Sequence, residues 1–194
     1  MAQVKKDDMR NAILAAAFDL FSERGYASTT VSAIARAASM TVANLYVYFP
    51  SKIVLLYAVY RPWLLAKLEE AELTVMRYRT PETRLRRLIL ALWRDIPSTD
   101  HGMANALVEA LATTPPDDKK PNDLLLSVED YLTNLLVQIL PKTRCPLVED
   151  GLISHMMWMA FDGFAINRRL GDVRDMDRLT DHWIAMLLGD PVEP

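Results

Sequence analysis

The segment from Ser28 to Leu55, STTVSAIARAASMTVANLYVYFPSKIVL, constrains the fold more than any other part of this 194-residue chain. It holds two short helical patterns, each opened by threonine and separated by a tight turn. Val31, Ile34, Ala35 and Ala38 repeat at i, i+3, i+4 and i+7, the spacing of one helix face. Thr29 and Thr30 offer hydroxyls to the free N–H groups of that helix, and Thr41 offers one to a following helix reaching Tyr48 or Phe49. Ser39 and Met40 form the turn, and Pro50-Ser51 ends the second pattern. Helices this short are not stable alone, so neighbouring elements must hold them. Leu45 and Phe49 supply an inward face, while Thr41, Val42, Asn44 and Val47 or Tyr48 point away. That outward face is uncharged and unusually apolar for one in contact with water.

A DNA major groove accounts for such a face, since Asn pairs with adenine edges and Val or Ala touches thymine methyls. The hydroxyls of Thr29, Thr30 and Thr41, the helix N-termini, Tyr46 and Lys52 suit phosphates, which set register without reading sequence.

Elsewhere the pattern is also helical. Glycine is scarce, at six residues, and Asp150-Gly151 and Asp162-Gly163 are followed by helical periods rather than by hairpin strands. The expected fold is all-α, with about nine helices: an N-terminal three-helix helix-turn-helix domain over residues 1–50 and a C-terminal helical bundle over 51–194. A first helix is expected over Asp7 to Glu23, stopped at Arg24-Gly25 by a left-handed glycine. A long fourth helix, Ser51 to Tyr78, should be kinked or split at Pro62. Further helices are expected over 80–96, 102–113, 122–140, 147–170 and 175–188, with the TPPDDKKP stretch at 114–121 as a loop.

The net charge of −3 is unevenly spread. Residues 1–60 hold six cations (Lys5, Lys6, Arg10, Arg24, Arg36, Lys52) against four acids (Asp7, Asp8, Asp19, Glu23), a net of +2, so the remainder carries −5. A basic head on an acidic body suits nucleic-acid binding confined to one end. No run approaches the length of an apolar membrane span, and Met1 to Arg10 lacks the features of a secretory signal, so a cytoplasmic protein with no membrane partner is expected. Cys145 is the lone cysteine, which forbids an intrachain disulfide. His101, His155 and His182 are too dispersed for a metal site, and Ser154, His155 and Asp162 lack the setting of a nucleophile elbow. Neither a cofactor, nor a metal, nor an enzymatic role is expected.

The head resembles the DNA-binding domain of TetR-family regulators. The matching residues are Ile13, Ala16, Phe21, Gly25, Tyr26, Thr29, Thr30, Val31, Ile34 and Ala35, then Leu45, Tyr46, Tyr48, Phe49, Ser51, Lys52 and Leu55. Ser39 and Ala43 stand where the family often has Gly, and Ile53 where it often has an acid. The resemblance implies a homodimeric transcriptional regulator that binds a palindromic operator in double-stranded DNA and answers to a small-molecule effector. It places Thr30, Ser32 and Arg36 on the groove side of the second helix, and Thr41, Val42, Ala43 and Asn44 at base edges. It places Tyr46, Tyr48 and Lys52 against the backbone.

The body offers large, adaptable groups, including seven of the chain's ten methionines, which suit an apolar or aromatic effector. Candidate effector contacts are Trp63, Trp93, Met103, Asn105, Leu107 and Glu109, with Tyr131, His155, Trp158, Met159 and Asp162 further along. For dimerisation, Ile153, Met156, Met157, Ala160 and Phe164 with Ile184, Leu187 and Leu188 form stripes too extensive for one neighbour. The competing reading is a helical small-molecule-binding or interaction protein whose head no longer binds DNA.

Overall fold

A computed structural model describes residues 2–99, 101–113, 123–169, 171 and 174–189. The helices are α1 (Ala2–Ser28), α2 (Val31–Ala37), α3 (Val42–Tyr48), α4 (Lys52–Val75), α5, α6 (His101–Thr113), α7 (Asp123–Ile139), α8 (Leu152–Arg169) and α9 (Met176–Leu188). Helix α5 starts as Pro81–Leu90, widens into a π-helical stretch at Ala91–Asp95 and finishes as one turn at Ile96–Thr99. The described residues contain no strand, so the all-α expectation holds.

By compactness the chain divides into a unit of residues 1–64 with 100–122, and a second of 65–99 with 123–194. Residues 51–64 and α6 therefore belong with the head, beyond the boundary at residue 50 that the sequence suggests.

In the first unit α1 packs along α6 and against α2. Ile13, Ala17, Phe21, Ile34, Ala35 and Leu45 form its apolar centre, joined by Met103, Ala106 and Ala110 of α6. Gly102 makes the approach of α6 possible, because a Cβ there would lie 2.0 Å from the Ser22 carbonyl oxygen. Helix α1 breaks at Gly25 (φ 76°, ψ 171°), as the sequence implies, but one further turn carries it to Ser28. Thr30 caps α2 by accepting from Ala33 N at 3.1 Å, and Thr41 caps α3 by accepting from Asn44 N at 3.2 Å. Ser39 is left-handed (φ 55°), which costs about 1 kcal/mol relative to glycine. Helix α4 runs through Pro62 without a split. The proline sits on the exposed side of α4, where water can serve the carbonyl that loses its donor.

In the second unit α5 packs on α9 and α7, and α7 on α8. The π-helical stretch turns Trp93 into the core. Its indole Nε1 donates to Met157 O at 3.0 Å, and its ring meets Trp183 edge-on at 5.1 Å and Phe164 at 5.3 Å. Arg86 pairs with Asp181 across α5 and α9, while Arg144 donates to Leu187 O (2.7 Å) and Met186 O (2.8 Å), capping the end of α9. Helix α8 begins five residues later than the sequence suggests. A 3-10 turn at Cys145–Leu147 precedes it, Gly151 is left-handed (φ 77°), and Asp150 accepts from Leu152 N at 3.0 Å. Among the described residues no single helix is long and apolar enough to cross a membrane.

Candidate nucleic-acid interface and effector region

Helix α3 buries Leu45 completely and Phe49 follows it into the core, so the opposite side must face out. On that side Thr41, Ala43, Asn44, Tyr46 and Val47 are exposed and Val42 is half-buried; Val47 is 75% exposed. Ser32 and Arg36 of α2 are exposed, as is its cap Thr30. The surface thus joins a carboxamide, two capping hydroxyls, methyl-bearing side chains and one guanidinium. Groups of these kinds suit base edges and phosphates, and no acid lies among them to repel a polyanion.

Three of the expected contacts stand elsewhere. Thr29 is 1% exposed, and its hydroxyl is directed at Leu20 O (3.0 Å) and Gly25 O (2.7 Å), so it latches the break in α1 and cannot reach a duplex. Tyr48 is half-buried, with its hydroxyl 3.6 Å from Met9 Sδ. The Lys52 ammonium turns inward, donating to Tyr26 O at 2.6 Å and lying 3.9 Å from the centre of the Tyr26 ring. Burial lowers the Lys52 pKa from its ordinary value, against the opposing pull of the Glu109 carboxylate.

Residues 13–59 match the sequence profile of the bacterial regulatory proteins of the tetR family. The head is thus of the tetR-family DNA-binding type. The matched span contains α2, the turn, α3 and the start of α4, the same elements that form the exposed surface. None of the curated proteins matches the sequence. Solved structures resemble this chain over nearly its whole length. A fatty acid degradation regulator, FadR, from Bacillus halodurans is 21% identical with a TM-score of 0.66, covering 96% of this chain and 97% of that one. FadR from Bacillus subtilis, solved in complex with stearoyl-CoA, is 20% identical with a TM-score of 0.60, covering 93% and 98%. The TetR-family repressor AlkX from Dietzia sp. strain DQ12-45-1b, implicated in biodegradation of n-alkanes, is 18% identical with a TM-score of 0.61, covering 93% of each chain. At these identities the likeness establishes the fold of the chain and no more.

The expected effector contacts fall in both compact units. Trp63, Met103, Asn105 and Leu107 are buried in the first, and Glu109 there accepts from Ala27 N at 3.0 Å, at the base of the head. In the second, Trp93 and Trp158 are buried, and Trp158 stacks on Phe161 at 4.8 Å. Tyr131 donates to Glu72; burial, and then that carboxylate, push its phenol pKa up. His155 pairs with Glu129. Ser154 shares a 2.7 Å hydrogen bond with Thr133, so Ser154 and His155 are each engaged outside any Ser-His-Asp relay. Met159 corrects the expectation: it is 59% exposed, on the outer side of α8, and lines no interior.

Asp162 is the unusual group. Its Oδ1 is buried without a hydrogen-bond partner, and burial pushes its pKa up to about 7. A separate cavity of about 150 Å³ lies along α4 and α5, lined by Lys67, Glu70, Thr74, Arg87 and Asp95 with Ala71, Ala91 and Ile96. None of the expected effector contacts lines it. Its charges are largely paired, with Arg87 on Asp95, Arg94 on Asp95 (2.8 Å) and Lys67 on Glu70 (3.7 Å). Burial opposes ionisation of Asp95, but the two guanidiniums outweigh it and hold its pKa below the ordinary value.

The expected dimer stripe also needs correction. Met157, Ile184 and Leu187 are buried within their own chain, because the intervening turns of α8 and α9 face the core. Ile153, Ala160, Phe164 and Leu188 are half-buried, and Met156 is exposed. The outward apolar residues are Leu152, Met156, Met159 and Ile166, on one side of α8, with Met186 on α9. Sequence periodicity marked α8 as amphipathic on a broad arc and could not tell its inner edge from its outer one.

Proposed function

We propose that this chain is a homodimeric repressor that holds a palindromic operator through α2 and α3 and releases it when an apolar small molecule enters its body. The observation that carries the reading is the outer face of α3, where Ala43, Asn44 and Tyr46, with Val42 half-buried beside them, face out on a helix whose other side is buried. Ser32, Arg36, Thr30 and Thr41 extend that face, with Tyr48 at its edge and Lys52 behind it. A helix-turn-helix dimer must set its two reading helices about 34 Å apart. The outward stripe of Leu152, Met156, Met159 and Ile166 supports a second copy as the cover for α8, and sedimentation of a monomer at micromolar concentration would remove this part of the reading.

For the effector, the buried Trp93, Trp158 and Phe161 with the half-buried Phe164 favour an apolar body, and the unpartnered Asp162 oxygen favours a molecule that also carries a hydrogen-bond donor. The stearoyl-CoA complex of one FadR and the n-alkane connection of AlkX lend weight to a long-chain apolar molecule. No catalytic step belongs to this reading, and a cytoplasmic location follows from a chromosomal target. The test is a duplex selected from a random pool, followed by titration with stearoyl-CoA, free stearate and n-alkanes. Release of the selected duplex by one of these supports the reading. Persistence of the complex with all of them removes the long-chain effector and leaves DNA binding to stand alone.

A further inference from the structure

One peptide bond of the head is held from both sides by side chains of opposite charge. The peptide joining Tyr26 to Ala27 follows the break at Gly25, where the chain leaves α1 for α2. Its carbonyl accepts from Lys52 Nζ of α4 at 2.6 Å, and its N–H donates to Glu109 Oε2 of α6 at 3.0 Å. The cation sits at the oxygen and the anion at the hydrogen, so both ends are charge-assisted and both act along the dipole of the same peptide. Glycine at 25 is part of the arrangement. A Cβ there would stand 2.9 Å from Glu109 Oε2, and the φ of +76° disfavours any side chain. All four residues lie in one compact unit, although Glu109 is 82 residues from Ala27 in sequence.

We propose that Glu109 is a positioning residue for DNA binding: with Lys52 it fixes the plane of the Tyr26–Ala27 peptide, and so the direction in which α2 and α3 leave α1. Glu109 touches no DNA. Its effect reaches the reading face through backbone geometry, and the inference rests on the proposal that this face binds a duplex. Lys52 accordingly acts first as the other jaw of the clamp.

The test uses the full-length protein and its selected duplex. Glu109→Ala should weaken binding about tenfold, the scale of one hydrogen bond to a charged group, with sequence preference and salt slope unchanged. Glu109→Gln, which keeps an oxygen for Ala27 N–H, should recover part of that loss and guards against a variant that fails to fold. Adding Lys52→Met to Glu109→Ala should cost little more, because both act on one peptide. In amide exchange spectra Ala27 N–H should lose protection in Glu109→Ala while amides within α2 and α3 keep theirs, a pattern that general loss of stability would not give. Duplex binding by Glu109→Ala equal to wild type overturns the inference and leaves the DNA reading intact. Wild-type protein that binds no duplex overturns both.

Discussion

The two compact units solve the same problem, helices that cannot stand alone, by different means. The first unit uses short-range devices. Its seven-residue helices α2 and α3 are each capped by the threonine just before them, and Thr29 latches the break in α1. The second uses long-range ones: Arg86 to Asp181, Trp93 to Met157, Tyr131 to Glu72 and Arg144 to the end of α9. In the head, local capping leaves the outer side chains of α3 uncommitted, which is what a groove-reading face requires. The body spends its polar side chains on ties between helices, yet leaves the Asp162 oxygen without a partner.

Breaking the close approach of α6 to α1 should have the largest effect. A Gly102→Ala Cβ meets backbone, so we expect a loss on the order of 3 kcal/mol in denaturant unfolding. A change under 1 kcal/mol would mean that α6 does not seat on α1 as described.

In the body, Asp162→Asn should stabilise the protein at pH 8 by about 2 kcal/mol, since a carboxylate no longer has to be buried charged. For an acid with a folded pKa of about 7, above its unfolded value near 4, the folded state binds the extra proton between those values. Stability contributed by the neutral form is thus full below pH 4, falls as pH rises toward 7 and levels off above it. Unfolding curves from pH 4 to 8 should show that fall in wild type and not in Asp162→Asn. A flat wild-type profile would show the carboxyl to be solvated.

The caps come next. Thr30→Ala and Thr41→Ala should each cost about 1 kcal/mol, and Ser39→Gly should return a similar amount by relieving the left-handed serine. Thermal denaturation checks all three. The smallest expected stability change, under 0.5 kcal/mol, is for Asn44→Ala, whose side chain makes its contribution outside the fold.

The head was legible in the sequence because its determinants are local. A threonine before an apolar repeat predicts a cap, and the glycine after the first helical pattern predicts the break at Gly25. Thr29 misled because two adjacent threonines look alike until one is buried, and Lys52 because a lysine in the right register can still fold inward onto Tyr26. Glu109 was picked out for its charge and assigned to the effector, since nothing within 80 residues announces the amide it meets. The body was legible only as helices. The π-helical stretch at Ala91–Asp95 carries no glycine or proline to mark it, and the outer side of α8 is as apolar as its inner side, so Met157 and Met159 could not be told apart by type.

The claim that the outward side of α3 reads base edges is tested most directly by selecting duplexes from a random pool with wild type and with Asn44→Ala, at equal folded concentration and across a salt series. The account predicts one enriched palindromic site for wild type, binding that weakens steeply with salt, and an altered preference at a symmetric pair of positions for Asn44→Ala with the salt slope unchanged. Identical enriched sites for the two proteins, or no enrichment for either, would contradict it.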